Sequence, residues 1–152
     1  MTEVAFYHLA RQPLETVLPR LLKKALEGGW RAVVMASSED RIEALNTLLW
    51  TYDDRGFLPH GSSRDGFAAE QPIYLTTQDE NPNGARLLVL TEGVSSNNLA
   101  VYERCLDLFD GNDAEALAAA RERWRKLKEL GLRLTYWQQS DGGAWEKKAE
   151  AG

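Results

Sequence analysis

The sequence predicts a mostly parallel, twisted α/β sheet with helices on both faces, and three observations carry that reading. A strand at Glu3 to His8 runs into a helical stripe of Leu14, Val17, Leu18, Leu21, Leu22 and Ala25. Ala32 to Ala36 is a short continuous apolar run, as expected of a strand buried on both faces. A second helix follows at once, capped by Ser37 or Ser38, with Glu39 and Asp40 in its first turn. Strand–helix–strand–helix with short links argues for a parallel α/β sheet. We expect a single α/β domain over residues 1–138 and a flexible tail over residues 139–152.

In order, the first strand places Val4, Phe6 and His8 on one face and Ala5 and Tyr7 on the other. Pro19 either falls in a tolerant first turn of a helix starting near Thr16, or kinks the helix. Gly28-Gly29 ends it. The second helix buries Ile42, Leu45, Leu48 and Leu49, and Trp50 points about 100° away from Leu49. Trp50, Tyr52, Phe57 and Leu58 are then either a satellite cluster under the connecting loop or an anchor patch for a partner. Gly61 to Gln71 reads as a mobile polar loop. Pro72 to Thr76 and Arg86 to Thr91 are strands joined through the turn signal Asn-Pro-Asn-Gly. Val94 to Tyr102 has room for a single turn. Glu103 to Phe109 is a strand, Ala114 to Gly131 a helix and Leu132 to Gln138 a strand.

That last helix carries two stripes. Leu117, Ala120, Trp124, Leu127 and Leu130 share one sector, and Arg121, Arg125 and Lys128 flank it. Asn112 or Asp113 can cap its start, and Gly131 can end it. The segment Arg121–Arg133 holds six basic and two acidic residues, net +4, whereas the remaining residues hold 12 basic and 21 acidic, net −9. Two readings stay open: a solvated helix edge, or a docking edge for an acidic peptide with an apolar end. A chain this acidic is a poor general phosphate binder.

Other chemistry is thin. The first strand-to-helix turn, His-Leu-Ala-Arg-Gln-Pro, has no glycine to admit a phosphate, and there is no P-loop or nucleophile elbow. Asp53-Asp54 has no metal-ligating neighbours, His60 is a lone loop histidine, and His8 reads as a hydrogen-bonded core residue. One cysteine, Cys105, fits a reducing cytosol, and zinc-ligand spacing is absent. No apolar run approaches the roughly 20 residues of a membrane span, and the N-terminus lacks signal-peptide character.

Three segments together resemble a known family. They are Val-Ala-Phe-Tyr-His-Leu from Val4, Leu-Leu-Trp-Thr-Tyr through Gly-Phe-Leu-Pro-His-Gly to Gly61, and Leu-Asp-Leu-Phe followed by Ala-Arg-Glu-Arg-Trp-Arg to Arg125. Their order and spacing resemble the chi subunit of bacterial DNA polymerase III holoenzyme, from Val4 to about Gln138. The resemblance implies a Rossmann-like domain without nucleotide chemistry, and we expect no cofactor and no metal. It implies a cytoplasmic, replisome-associated clamp-loader accessory subunit that binds no membrane and no specific nucleic acid. It implies a psi-subunit surface around Trp50, Phe57 and Leu58, a surface that could also serve a repair helicase. It implies a second surface around Phe109, Arg121, Trp124 and Arg125 for the acidic C-terminal tail of single-stranded DNA-binding protein. One position departs: a further basic residue expected one turn before Arg121 is Leu117 here. The alternative is a small-ligand or nucleotide-binding enzyme on the same fold. Direct nucleic-acid binding through the basic helix is a third reading.

Overall fold

A computed structural model describes residues 2–51, 59–62 and 64–152. Its elements run β1 (Glu3–Leu9), α1 (Leu14–Glu27), β2 (Ala32–Met35), α2 (Glu39–Thr51), β3 (His60–Ser62), β4 (Ile73–Thr76), β5 (Leu87–Thr91), β6 (Arg104–Asp110), α3 (Ala114–Glu129), β7 (Arg133–Gln139) and β8 (Trp145–Ala151). The eight strands form one sheet in the order β3-β4-β2-β5-β6-β1-β7-β8. Every pairing is parallel except β7 with β8.

Strand alternation sorts the core into two layers. Ala5, Tyr7, Leu9, Val34, Leu106 and Leu108 face α1 and α2. Val4, Phe6, Val33, Leu88, Cys105 and Phe109 face α3 and the segment around Leu99 and Tyr102. Helices thus cover both faces, as the apolar periodicity predicts. Cys105 is wholly buried, and burial pushes its thiol well above the usual range, with Asp107 adding to the effect.

Pro19 lies inside α1 and the helix starts earlier, at Leu14. Pro19 has no N–H to donate to the Glu15 carbonyl, so α1 gives up one backbone hydrogen bond there. Ser38 caps α2, its Oγ accepting from the Arg41 N–H at 3.3 Å.

The Asn-Pro-Asn-Gly turn lies between β4 and β5 in the chain, as expected, and the two strands flank β2 rather than each other. The buried Asn83 amide donates to the carbonyls of Ala32 (3.2 Å) and Gln71 (2.8 Å), tying the turn to the starts of β2 and β4. Two expectations need correction. Gly61 and Ser62 of the supposed loop join His60 as an edge strand on β4. The residues after Ser140, expected to fray, return as β8 along β7, and Trp145 packs edge-on against Tyr7 at 4.9 Å.

Candidate functional site

The surface beside α3 starts from a well-made helix end. Asp113 caps it, its carboxylate accepting from the N–H groups of Glu115 (3.0 Å) and Ala116 (3.5 Å). Leu117, Ala120, Trp124 and Leu127 pack on the sheet. Leu130, placed in the same sector by periodicity, is instead 74% exposed, because the helix ends one residue earlier and Leu130 is only its C-terminal cap.

Trp124 meets Phe6 of β1 edge-to-face at 5.4 Å and Tyr136 of β7 at 6.0 Å. Tyr136 in turn lies 6.0 Å from Phe109 of β6, and His8 of β1 sits between them, 5.5 Å from Phe109 and 6.0 Å from Tyr136. These residues come from three adjacent strands and one helix, so the parallel order β6-β1-β7 brings them together. Phe109 itself is buried and forms the floor of this cluster.

His8 is half-buried. Its Nδ1 is 2.7 Å from the Tyr136 hydroxyl and 3.2 Å from the Gln138 amide nitrogen. An amide nitrogen can only donate, so Nδ1 accepts both bonds and the ring proton belongs on Nε2. Burial holds the His8 pKa below its usual value, nearby Arg121 pushes the same way, and Asp110 opposes them. Burial likewise raises the Tyr136 phenol, against Arg121, which keeps it a donor. The imidazole lies so close to Gly111 that a Cβ there would come within 2.0 Å of the ring. Only glycine fits at that turn.

The arginines of α3 differ sharply. Arg123 donates from Nε (2.7 Å) and a terminal nitrogen (3.0 Å) to both oxygens of Asp107, whose side chain is only 3% exposed. Burial raises the Asp107 carboxyl and Arg123 pulls it back. This pair pins α3 to β6. Arg125 is engaged by Glu122 and Glu129 one turn either side. Arg121 is exposed and makes no hydrogen bond or ion pair among the described residues. It therefore stands as a ready cation beside an aromatic wall of Trp124, Tyr136 and His8.

Of the residues the sequence singled out, Phe109 and Trp124 share this cluster, Arg121 flanks it, and Arg125 lies on the outer side of the helix. His8, Tyr136 and Gln138 were not assigned to the site. The two-residue alternation of β7, which puts Tyr136 on the same face as Leu134, was the available signal for Tyr136. Arg123 was missed because it lies on neither stripe.

Trp50 is elsewhere. It ends α2 on the opposite face, beside the β3 edge, is 55% exposed, and meets the His60 ring at 5.0 Å. His60 is buried within β3 rather than loose in a loop. Phe57, Leu58, Tyr52 and Asp53-Asp54 lie outside the described residues. Phe67, just beyond β3, is 75% exposed with a left-handed φ of 53°, and was not anticipated.

A cleft of about 730 Å³ opens at the carboxyl ends of β1 and β6, where α1 and α3 leave to opposite faces. Open α/β sheets hold nucleotides at such a switch point. Here Arg11, Arg41 and Arg123 line it with Glu15, Glu92, Asp110, Asp113 and Glu115, and each arginine is already paired with a carboxylate. The surplus of carboxylates disfavours a phosphate.

The geometry defines an α/β domain with an aromatic, cation-flanked surface on one face. The family described as "DNA polymerase III chi subunit, HolC" matches residues 1–135. The chain is also 36% identical over 134 residues to the "Probable DNA polymerase III subunit chi" of Rickettsia prowazekii (strain Madrid E), a match covering 88% of this chain and 78% of that protein. The chain belongs to the DNA polymerase III chi subunit family, an accessory subunit of the replication machinery. No helix among the described residues is long and apolar enough to cross a membrane.

Proposed function

We propose that this chain is a non-catalytic adaptor of the clamp-loader assembly. It joins the psi subunit at the Trp50 surface to the acidic C-terminal tail of single-stranded DNA-binding protein at the α3 surface. The observation that carries the reading is Arg121: exposed, unpaired among the described residues, and near enough to His8 and Tyr136 to act on their titration, while Arg123 and Arg125 are both engaged. A guanidinium forks a terminal carboxylate bidentately, and rings beside it take the apolar last side chain.

Trp50 supports the second contact. It stands off the buried stripe of α2, on the opposite face of the sheet from α3. One chain could then hold two partners at once without their colliding. Phe57 and Leu58 belong to the same proposed psi surface by their place in the sequence.

The test is a pull-down with wild-type protein, Trp50→Ala and Arg121→Ala, each offered psi and the tail separately. Trp50→Ala should lose psi and keep the tail, and Arg121→Ala the reverse. If one substitution removes both partners, or neither does, the two-surface adaptor is wrong.

A further inference from the structure

A second pocket lies on the face opposite α3, between the carboxyl-terminal half of α1 and the amino ends of β5 and β6, with Tyr7 of β1. It encloses about 220 Å³ and is walled by Tyr7, Trp30, Leu87 and Leu106, with Lys24 and Arg104 as its charged lining residues. No carboxylate among the described residues lines it. In a chain of net charge −5, a purely cationic lining is unexpected.

Neither cation is compensated. Among the described residues Lys24 and Arg104 make no side-chain hydrogen bond or ion pair, whereas Arg86, close by, is both paired with Glu103 and stacked 4.1 Å over the Trp30 ring. The Arg104 Nε is buried with no acceptor among the described residues. Glu3 is the register partner of Arg104 on β1 and of Arg133 on β7, yet it bonds to neither. A buried donor without an acceptor costs free energy, and an occupant that supplies one recovers it. Burial also pushes the Tyr7 phenol up, with Arg104 opposing, which leaves a hydroxyl donor at the same wall.

We propose that this pocket binds a carboxylate carried on an apolar or aromatic body, with the guanidinium of Arg104 and the ammonium of Lys24 taking the carboxylate and Trp30, Leu87 and Leu106 taking the body. The apolar walls argue against a bare inorganic anion, which would leave them wet. The carboxylate could belong to a free aromatic acid or to the terminus of a peptide, and the two are separable by experiment. The site is independent of the α3 surface, on the other side of the sheet.

The competing account is that both cations merely complement the carbonyl end of α1, where Gly28 N–H already bonds the Lys24 carbonyl at 3.1 Å. That account predicts no saturable ligand.

The experiment is a proton–nitrogen NMR titration of the full chain, following the Arg104 Nε–H and Trp30 indole signals. Probes are phenylacetate for a free acid, N-acetylphenylalanine for a peptide terminus, and neutral phenylacetamide. One or both acids should shift these signals saturably in the low-millimolar range, and the tighter of the two identifies the source. Phenylacetamide should bind at least about tenfold more weakly. Lys24→Met, an exposed change that leaves the fold intact, should weaken binding by about tenfold, and Arg104→Met should abolish it. Arg121→Ala should change nothing, which separates this pocket from the α3 surface. No saturable shift by about 20 mM acid would overturn the proposal. So would equal binding of the amide, or loss of binding in Arg121→Ala with none in Lys24→Met.

Discussion

Trp124 and Trp50 are both tryptophans near the surface, each on a helix facing the sheet, yet their surroundings differ. Trp124 is half-buried, with Phe6 and Tyr136 in edge contact, and belongs to one of the two core layers. Trp50 is 55% exposed and, among the described residues, belongs to neither. On the proposed function, the difference gives a tryptophan two ways to serve a partner: by shaping a rigid wall that is also core, or by projecting as a separate anchor. The first couples binding to folding and the second does not. The substitutions below break or sharpen that contrast.

The largest effect should come from Arg123→Met, which removes the clamp that holds the α3 surface to β6. It leaves the Asp107 carboxyl buried without its guanidinium, costing about 3–5 kcal/mol of stability at neutral pH. Burial already raises this carboxyl, and losing Arg123 raises it further. A carboxyl whose folded-state pKa exceeds its unfolded value stabilises the fold in its protonated form. That contribution is complete below the unfolded pKa of about 4 and is lost as pH rises through the folded value. The variant should therefore regain stability relative to wild type as pH falls toward about 4. Urea denaturation at pH 7 and pH 5 decides it, and an equal deficit at both would mean that Asp107 is not the group left uncompensated.

Trp124→Ala should cost about 2–4 kcal/mol of folding stability, less than a wholly buried ring because part of it is wet. Tail binding should fall with it. A melting temperature within a degree or so of wild type would show that Trp124 is an anchor like Trp50, and the contrast would collapse.

Arg121→Ala should leave stability within about 0.5 kcal/mol, since the side chain is exposed, while weakening the tail by about 2–4 kcal/mol. Arg121→Lys should recover only part, because an ammonium cannot fork a carboxylate. Calorimetric titration with the tail peptide, free and C-terminally amidated, isolates the contact. Amidation should weaken wild-type binding strongly and Arg121→Ala binding hardly at all. Equal losses in the two proteins would remove Arg121 as the carboxylate clamp.

Much of this was legible in the sequence, and the residues show why. The apolar stripes of α1 and α2 and the run Ala32 to Ala36 encode their own burial, so the parallel sheet could be read directly. β3 and β8 could not. His60–Ser62 has three residues and no apolar alternation, and Trp145–Ala151 is largely Glu and Lys. Both are edge strands, where pairing rather than composition makes the strand, and in β8 the exposed Glu and Lys side chains guard the open side. Arg121 and Trp124 were visible because helical spacing alone places them. The Arg123–Asp107 clamp and the His8–Tyr136–Gln138 bonds join residues far apart in the chain, and only the order β6-β1-β7 brings them into reach.

Trp50→Ala should cost under about 1 kcal/mol of stability, as an exposed side chain does, while reducing psi binding more than tenfold. A drop of about 3 kcal/mol or more, with unchanged psi binding per folded molecule, would make Trp50 core after all.

The smallest effect should come from Arg125→Ala. Arg125 sits between Glu122 and Glu129 and is largely exposed, so the three side chains together carry one net negative charge. Removing Arg125 leaves two, close to Arg121. An acidic tail would then approach a less favourable local field, although no direct contact has been lost. The expected result is a slower association rate at low salt, an unchanged dissociation rate, and an affinity loss under about 1 kcal/mol. Surface pairs of this kind contribute little to folding, so stability should stay within about 0.5 kcal/mol. Stopped-flow association at two salt concentrations separates the cases. At about 0.5 M salt the variant and wild type should converge, because charges at this spacing are screened. If Arg125→Ala instead speeds dissociation and the loss persists at high salt, Arg125 touches the tail directly, and the carboxylate clamp must be shared between two turns of the helix.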